Sequence, residues 1–441
     1  MMKDRLVSRP MVGVVADDIT GAGDIGVMFA KHGYAVWIFG AATDLRTLPK
    51  RLRGRRCDVA IIDTNSRLDE GPLAYWKVRR ATAALMEAGC QLYWKKTCSV
   101  FRGNVGAEFD ALLDELGEEF GTAVAAFPKN GRCTRGGLHY VHGRLLADSE
   151  FARDPVHPMT ESDLVTLLGA QTRRAVGPIP LDVVHQGPDA VRRELEAVRA
   201  AGVAYALCDA ERQEDLAAIA AAVAGERVLL GSSALAEELP RVWAPPEPFD
   251  PLAGVKAADG GGVLALAGSV MPQSQAQVAA MADAGARVLT LTSDEALKNP
   301  DAAVMAIVRQ AAEALQRGIH TVIRSENHPD AVAAAHALGS EMGMEPAAVS
   351  RLISALLARA AQEVVAETGI RRLLILGGET SGAVCRALGI SEMLVVDEIA
   401  PGLPVLLAPG DPPMLLVLKS GSFGGPRFAL EAIEHLLRLG K

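Results

Sequence analysis

Along the chain, short apolar runs alternate with stretches whose apolar residues recur every three or four positions. The runs at 12–16, 36–39, 59–62, 92–94, 123–127, 203–207 and 228–230 predict buried strands, and many of the stretches between them predict amphipathic helices. Over 105–120, Val105, Phe109, Leu112, Leu113 and Leu116 fall on one helical face with carboxylates opposite. Regular strand–helix alternation predicts a mostly parallel sheet covered by helices, the α/β class. Between 240 and 262 the pattern breaks into PRVWAPPEPFDPLAGVKAADGGG. Five prolines followed by a glycine run sustain neither a helix nor a central strand, so this segment reads as a linker. The alternation then restarts, with strands predicted at 263–267, 288–291, 321–323, 373–376, 394–396 and 415–418 and the longest helix over 346–368. The expected architecture is two α/β domains, 1–239 and 263–441, each a mostly parallel sheet flanked by helices, with a cleft between them.

Composition narrows the partners. Of 441 residues, 49% are hydrophobic and the formal net charge is −8, which argues against a general nucleic-acid binder. Cys57, Cys90, Cys98, Cys133, Cys208 and Cys385 form no CxxC pair and no metal-ligand spacing, as expected of buried thiols in a reducing compartment. Charges come too early at the N-terminus for a signal peptide, and the longest apolar candidate, 216–224, is far too short to span a membrane. The expectation is a cytoplasmic protein with no membrane or nucleic-acid partner. A homodimer is compatible with this reading.

The first candidate chemistry lies in MVGVVADDITGAGDIG at 11–26. Asp17 and Asp18 follow the first strand, at the carboxyl edge where ligands of open α/β sheets bind. A glycine-rich turn and then a helix are expected after them. Gly21, Gly23 and Gly26 match the G-x-G-x-x-G dinucleotide fingerprint, so an NAD-dependent dehydrogenase using the 21–26 turn is one reading. Against it, four residues separate the strand from the first glycine, and two carboxylates beside a pyrophosphate repel it unless a cation bridges them.

A second constellation, Lys95 to Asn104, closes the 92–94 strand and precedes a helix N-terminus, which favours anions. Lys96, Thr97, Ser99 and Arg102 supply charges and donors there, Arg102 as a bidentate grip for a carboxylate and Lys96 as a point charge. Asn65, Ser66 and Arg67 close the 59–63 strand with a second guanidinium, and 131–137 reads as a further basic glycine-rich loop. Carboxylates among fixed cations suit a small hydroxylated acid. His139, His142 and His157 have no metal spacing and read as structural or surface groups. In the second half, Gly268-Ser269, Gly377-Gly378-Glu379-Thr380-Ser381 and Lys419-Ser420-Gly421-Ser422-Phe423-Gly424 each follow a strand and precede a helix. Such loops let backbone N–H groups approach phosphate oxygens. No GxxxxGK[ST] and no kinase HRD or DFG set occurs.

Taken together, these blocks resemble the four-carbon acid sugar kinases over nearly the whole chain. The resemblance rests on VADDITGAGD at 15–24, Asn65 to Arg67, KKTCSVFRGNVGAE at 95–108, AFPKNGR at 126–132 and GSSALA at 231–236. It continues through Gly268-Ser269, GGETS at 377–381, Pro401-Gly402 and KSGSFG at 419–424. It implies an acid-binding N-terminal domain and an ATP-binding C-terminal domain. Asp17, Asp18, Arg67, Lys96, Thr97, Cys98 and Ser99 would contact the acid. Ser269, Gly377, Gly378, Glu379, Thr380, Gly421 and Gly424 would contact the nucleotide. The mechanism it implies is transfer of the ATP γ-phosphoryl group to a hydroxyl of a threonate- or 3-oxo-tetronate-type acid. Asp17 or Asp18 would orient or deprotonate that hydroxyl, Arg102 would offset developing charge, and Mg²⁺ would screen the phosphates. The family pattern is close to K-x-D-S-T-x-R-G, whereas this chain carries Cys98 and Val100 in place of the Asp and Thr. A thiol near its reference pKa is mostly neutral at pH 7, so a different substrate, or a sensor that binds nucleotide or acid without turnover, is the alternative this departure raises.

Overall fold

The computed structural model describes residues 11–154, 156–255, 261–326 and 328–439. The chain forms two compact units, Met1–Phe249 and Asp250–Lys441. Of the expected linker at 240–262, residues 256–260 lie outside the described residues. Its start belongs to the first unit, where buried Trp243 donates from Nε1 to the Ala224 carbonyl at 3.0 Å.

In the first unit, the main-sheet strands are β1 (Val12–Ala16), β2 (Val36–Phe39), β3 (Val59–Asp63), β4 (Leu92–Lys96), β5 (Gly121–Val124), β9 (Val176–Ile179), β10 (Tyr205–Cys208) and β11 (Val228–Gly231). Their order is β2-β3-β1-β4-β11-β5-β10-β9, with parallel neighbours throughout. Helices on both faces bury β1, β3 and β4 along their whole length, which is why these strands read as continuous apolar runs. The register sets Ala16 beside both Asp63 and Lys96, and Gly231 beside Lys96, so four strands end flush at one carboxyl edge.

Two expectations are corrected here. Gly21, Gly23 and Gly26 do not form a turn. The helix Ile19–Ala30 begins before them, capped by Asp18, whose extended backbone (φ −148°, ψ 162°) lets Oδ1 accept from the Gly21 N–H at 2.7 Å. The 131–137 segment is not a basic loop either. It folds as β6 (Arg132–Arg135) and β7 (Leu138–Val141), which with β8 (Arg144–Leu145) make a small antiparallel sheet. Gly136 and Gly137, at φ 59° and 78°, supply the two positive-φ positions of the β6–β7 turn. Arg135 turns outward to Glu211 at 3.0 Å and Arg132 is buried, so neither adds a free cation.

The second unit holds β12 (Leu264–Ala267), β13 (Arg287–Leu291), β14 (Thr321–Ser325), β15 (Arg372–Leu376), β16 (Glu392–Ala400), β17 (Leu403–Ala408) and β18 (Met414–Lys419). The order is β13-β14-β12-β15-β18-β17-β16, parallel as far as β18, with β17 antiparallel to both its neighbours. Pro401 and Gly402 form the turn between β16 and β17, Gly402 taking the positive φ of 76°. The expected helix at 346–368 is found as Pro346–Thr368. Ala267, Leu376 and Lys419 lie side by side, so β12, β15 and β18 also end flush.

Candidate active site

In the first unit the flush edge gathers residues far apart in the chain. Asp17 follows β1, Arg67 lies four residues beyond β3, and Lys96 ends β4. Arg67 forks onto Asp17, Nε to Oδ2 at 2.7 Å and Nη2 to Oδ1 at 2.9 Å, and its Nη1 reaches Asp18 Oδ2 at 2.6 Å. Asp18 Oδ2 also accepts from Thr20 Oγ1 at 2.8 Å, so this carboxylate serves as helix cap and guanidinium anchor together. Asp17 is 1% exposed. Burial alone would raise its pKa, but Arg67, Lys95 and Lys96 outweigh that and hold the carboxyl at about 2.

The cations expected to be open are committed. Lys96 Nζ lies 3.2 Å from Asp24 and donates to the Thr97 carbonyl, and Asp24 accepts from Ser233 Oγ at 2.7 Å. Arg102 pairs with Asp154 at 2.6 Å and stands over the Phe151 ring. Arg67 uses three of the five N–H groups of its fork and has no further partner among the described residues. Thr97 Oγ1 is buried without a partner among the described residues, and Ser99 is buried beside it in the chain.

Cys98 sits between the two arginines and accepts from Arg102 Nε at 3.5 Å. Burial raises its pKa, but Arg102, Arg67 and a bond from the Val100 amide bring it below the ordinary thiol value. The two arginines thus set Cys98 apart from Cys57, Cys90 and Cys208, whose thiols burial pushes up. The loops that deliver the arginines carry unusual backbone: Asn65 (φ 46°) and Phe101 (φ 56°) adopt left-handed conformations. Phe101 is held there by edge-on contact with Phe109, its ring centroid 6.0 Å away. Behind Asp17, buried Lys95 pairs with Glu108 at 2.9 Å, and Ser66 donates to the same carboxylate.

Asp24, Ser233 and Asp154 were not singled out from sequence. Asp24 and Ser233 lie within the quoted blocks at 15–24 and 231–236, but nothing in the spacing indicates that both meet Lys96. The histidines are structural as expected: His139 is buried against Thr134 Oγ1, and the His157 ring bonds the Arg67 carbonyl.

In the second unit, the loops after β12, β15 and β18 converge. A Cβ on Gly268 would lie 2.2 Å from Thr380 Oγ1, and one on Gly421 2.5 Å from Ser269 Oγ. Gly377, at φ 130°, caps the helix Gly378–Ala387 and lies against both Ser269 and Thr380. Glu379 is exposed in the first turn of that helix. Gly424 takes φ 76° beside Gln277. Glycine is required at Gly268 and Gly421 because the side chains of Thr380, Ser269 and Met271 from the neighbouring loops already fill the space a Cβ would take.

The chain matches two family models over most of its length, a sugar-binding N-terminal domain at 12–239 and a nucleotide-binding C-terminal domain at 264–429. It is 34% identical over 437 residues to a 3-oxo-tetronate kinase of Pseudomonas savastanoi pv. phaseolicola, covering 97% of this chain and 98% of that protein. The chain belongs to the four-carbon acid sugar kinase family. Another member, a D-erythronate kinase of Heliobacterium modesticaldum, is 32% identical over 440 residues, 97% of each protein. Among solved structures, a Salmonella typhimurium LT2 protein aligns with TM-score 0.79 at 29% identity over 96% of this chain and 99% of its own. A Haemophilus influenzae protein aligns with TM-score 0.69 at 28% identity over 96% and 100%. Membership in this family leaves the dehydrogenase and sensor readings without support. The geometry agrees on the first: the Asp18 carboxylate occupies the helix N-terminus that a pyrophosphate would need.

Proposed function

We propose that the chain transfers the γ-phosphoryl group of ATP to a hydroxyl of a four-carbon sugar acid of the 3-oxo-tetronate or erythronate type. The observation that carries this reading is the Asp17–Arg67 fork at the first unit's strand edge, in a chain matched end to end by kinases of such acids. The two uncommitted N–H groups of Arg67 suit the acid's carboxylate, and the buried Thr97 hydroxyl on the loop after β4 is a donor without a partner among the described residues. Held at about 2, Asp17 stays ionised and is a weak base, so its role is to accept a hydrogen bond from the substrate hydroxyl and orient it. Little covalent work is asked of the protein in phosphoryl transfer, and positioning with charge stabilisation suffices. Arg102 adds positive charge near the reacting hydroxyl.

The second unit's convergent loops bind the ATP phosphates through backbone N–H groups, with Ser269 and Thr380 at their junction. Among the described residues, no three His, Cys, Asp or Glu side chains gather to hold a metal. Mg²⁺ would arrive with the nucleotide rather than be held by a cluster of protein carboxylates. When bound it screens the phosphate charge.

The test is an ATP-consumption screen with 3-oxo-tetronate, D-erythronate and threonate, the phosphorylated acid being confirmed by mass spectrometry. Turnover of at least one acid is expected. No turnover of any four-carbon acid would sink the reading.

A further inference from the structure

Lys419 ends β18 and is 0% exposed, yet no carboxylate pairs with it among the described residues. Its Nζ lies 3.0 Å from Ser274 Oγ, 2.9 Å from the Gly421 carbonyl and 3.1 Å from the Phe423 carbonyl. Three acceptors match the three hydrogens of an ammonium. The proton assignment is consistent, because Ser274 Oγ gives its own hydrogen to the Gly421 carbonyl at 3.1 Å and so accepts from Lys419. From the same helix, Pro272–Asp283, Gln277 Nε2 approaches the carbonyls of Phe423, Gly424 and Gly425 at 3.2, 3.2 and 3.0 Å.

These bonds orient the loop. In a trans peptide, the carbonyl of one residue and the N–H of the next point opposite ways. Drawing the carbonyls of Gly421, Phe423 and Gly424 toward Lys419 and Gln277 turns the amides of Ser422, Gly424 and Gly425 the other way. That is the polarity an anion needs.

We propose that Lys419 is the positioning residue of the nucleotide loop: its amine, buried beneath residues 421–425, holds the loop carbonyls inward and, when protonated, places a positive charge under the bound phosphates. The proposal rests on the second unit being the ATP site. Leaving a buried ammonium without a counter-ion is costly, and an incoming polyphosphate supplies the missing charge. Burial pushes the Lys419 pKa down to about 7. Among the described residues no ion pair offsets that: the helices Gly378–Ala387 and Phe428–Leu439 also pack on β18 and carry Glu379, Arg386, Glu431, Glu434, His435 and Arg438, but none of these is bonded to Lys419. Ser274 and Gln277 face it from the helix, the 421–425 loop and β17 contain no ionisable residue, and on β15 the charged Arg372 lies at the opposite end from Leu376, the partner of Lys419.

The experiment is steady-state kinetics of the full chain and of Lys419→Met and Lys419→Arg, with ATP and acid varied separately from pH 6 to 9. Wild type is expected to show an ATP KM that rises about tenfold as pH climbs past 7, while the acid KM stays within twofold. Lys419→Met is expected to raise the ATP KM at least tenfold at pH 6, abolish that pH dependence and leave the acid KM within twofold. Lys419→Arg should recover part of the ATP affinity and, being charged throughout, lose the pH dependence. A folded Lys419→Met chain with unchanged ATP KM overturns the proposal. If that variant does not fold, a wild-type ATP KM that is flat over the range overturns it instead. A wild type that turns over its acid with a different phosphoryl donor and binds no ATP overturns the ATP reading, and the proposal with it.

Discussion

Asp17 stays charged although it is almost fully excluded from water, because Arg67, Lys95 and Lys96 surround it. Substituting Asp17→Asn keeps the shape and removes the charge, and kcat is expected to fall about a hundredfold, as when a preorganised transition-state contact is lost. Turnover within twofold of wild type would defeat the assignment. Linkage has a definite sign here. A carboxyl whose pKa is depressed in the folded state contributes stability that is full above its unfolded value near 3.8 and is lost as pH falls through about 2. Denaturant titrations between pH 5 and 2 should therefore show the wild type losing roughly 2 kcal/mol more than Asp17→Asn. Cys98 carries a second prediction. With Arg102 and Arg67 beside it, it should react with iodoacetamide faster than Cys57, Cys90 and Cys208, whose pKa values burial pushes up. Peptide mass spectrometry over a time course reads this directly, and equal rates would contradict the lowered pKa argued for Cys98.

At the scale of elements, the helix Ile19–Ala30 is the informative case. Glycine inside a helix ordinarily costs about 1 kcal/mol against alanine, so Gly→Ala there should stabilise. Gly21 reverses that sign, because a Cβ would stand 2.6 Å from Asp18 Oδ1 and 3.3 Å from Lys96 Nζ. Gly21→Ala is expected to destabilise by roughly 1–3 kcal/mol in urea unfolding and to weaken acid binding. A stabilised variant would show that the cap and the lysine can yield. The glycines read as a turn in the sequence because their spacing is legible while the cap is not. Whether Asp18 accepts from Gly21 depends on backbone dihedrals that no periodicity encodes. By contrast, the Gly136-Gly137 pair between alternating residues was a hairpin signal present in the sequence, overlooked because the flanking arginines suggested an anion loop.

For the whole molecule, binding should appear as stability. ATP with Mg²⁺ at a hundred times its Kd is expected to stabilise the chain by about 2.7 kcal/mol, whereas NAD should leave the Tm unchanged, as differential scanning fluorimetry would show. A shift with NAD alone would reopen the dehydrogenase reading. Most strands of both units were legible as apolar runs, because strands covered on both faces must be apolar throughout. β9, β17 and the β6–β8 sheet were not: Gly177 and Pro178 interrupt β9, the β6–β8 strands are short and only partly buried, and Pro404 breaks the strand signal of the otherwise apolar β17. The sequence alone determined the α/β class, the order of the blocks and the residue types at both strand edges, because periodicity and turn chemistry are local. Only the tertiary structure decided which charges meet. Parallel register sets the ends of β1, β3 and β4 flush, so Arg67 falls on Asp17 and Lys96 on Asp24. Pairing between residues separated by tens of positions depends on that register, and it turned cations that had looked open into the partners that keep Asp17 and Asp24 in place.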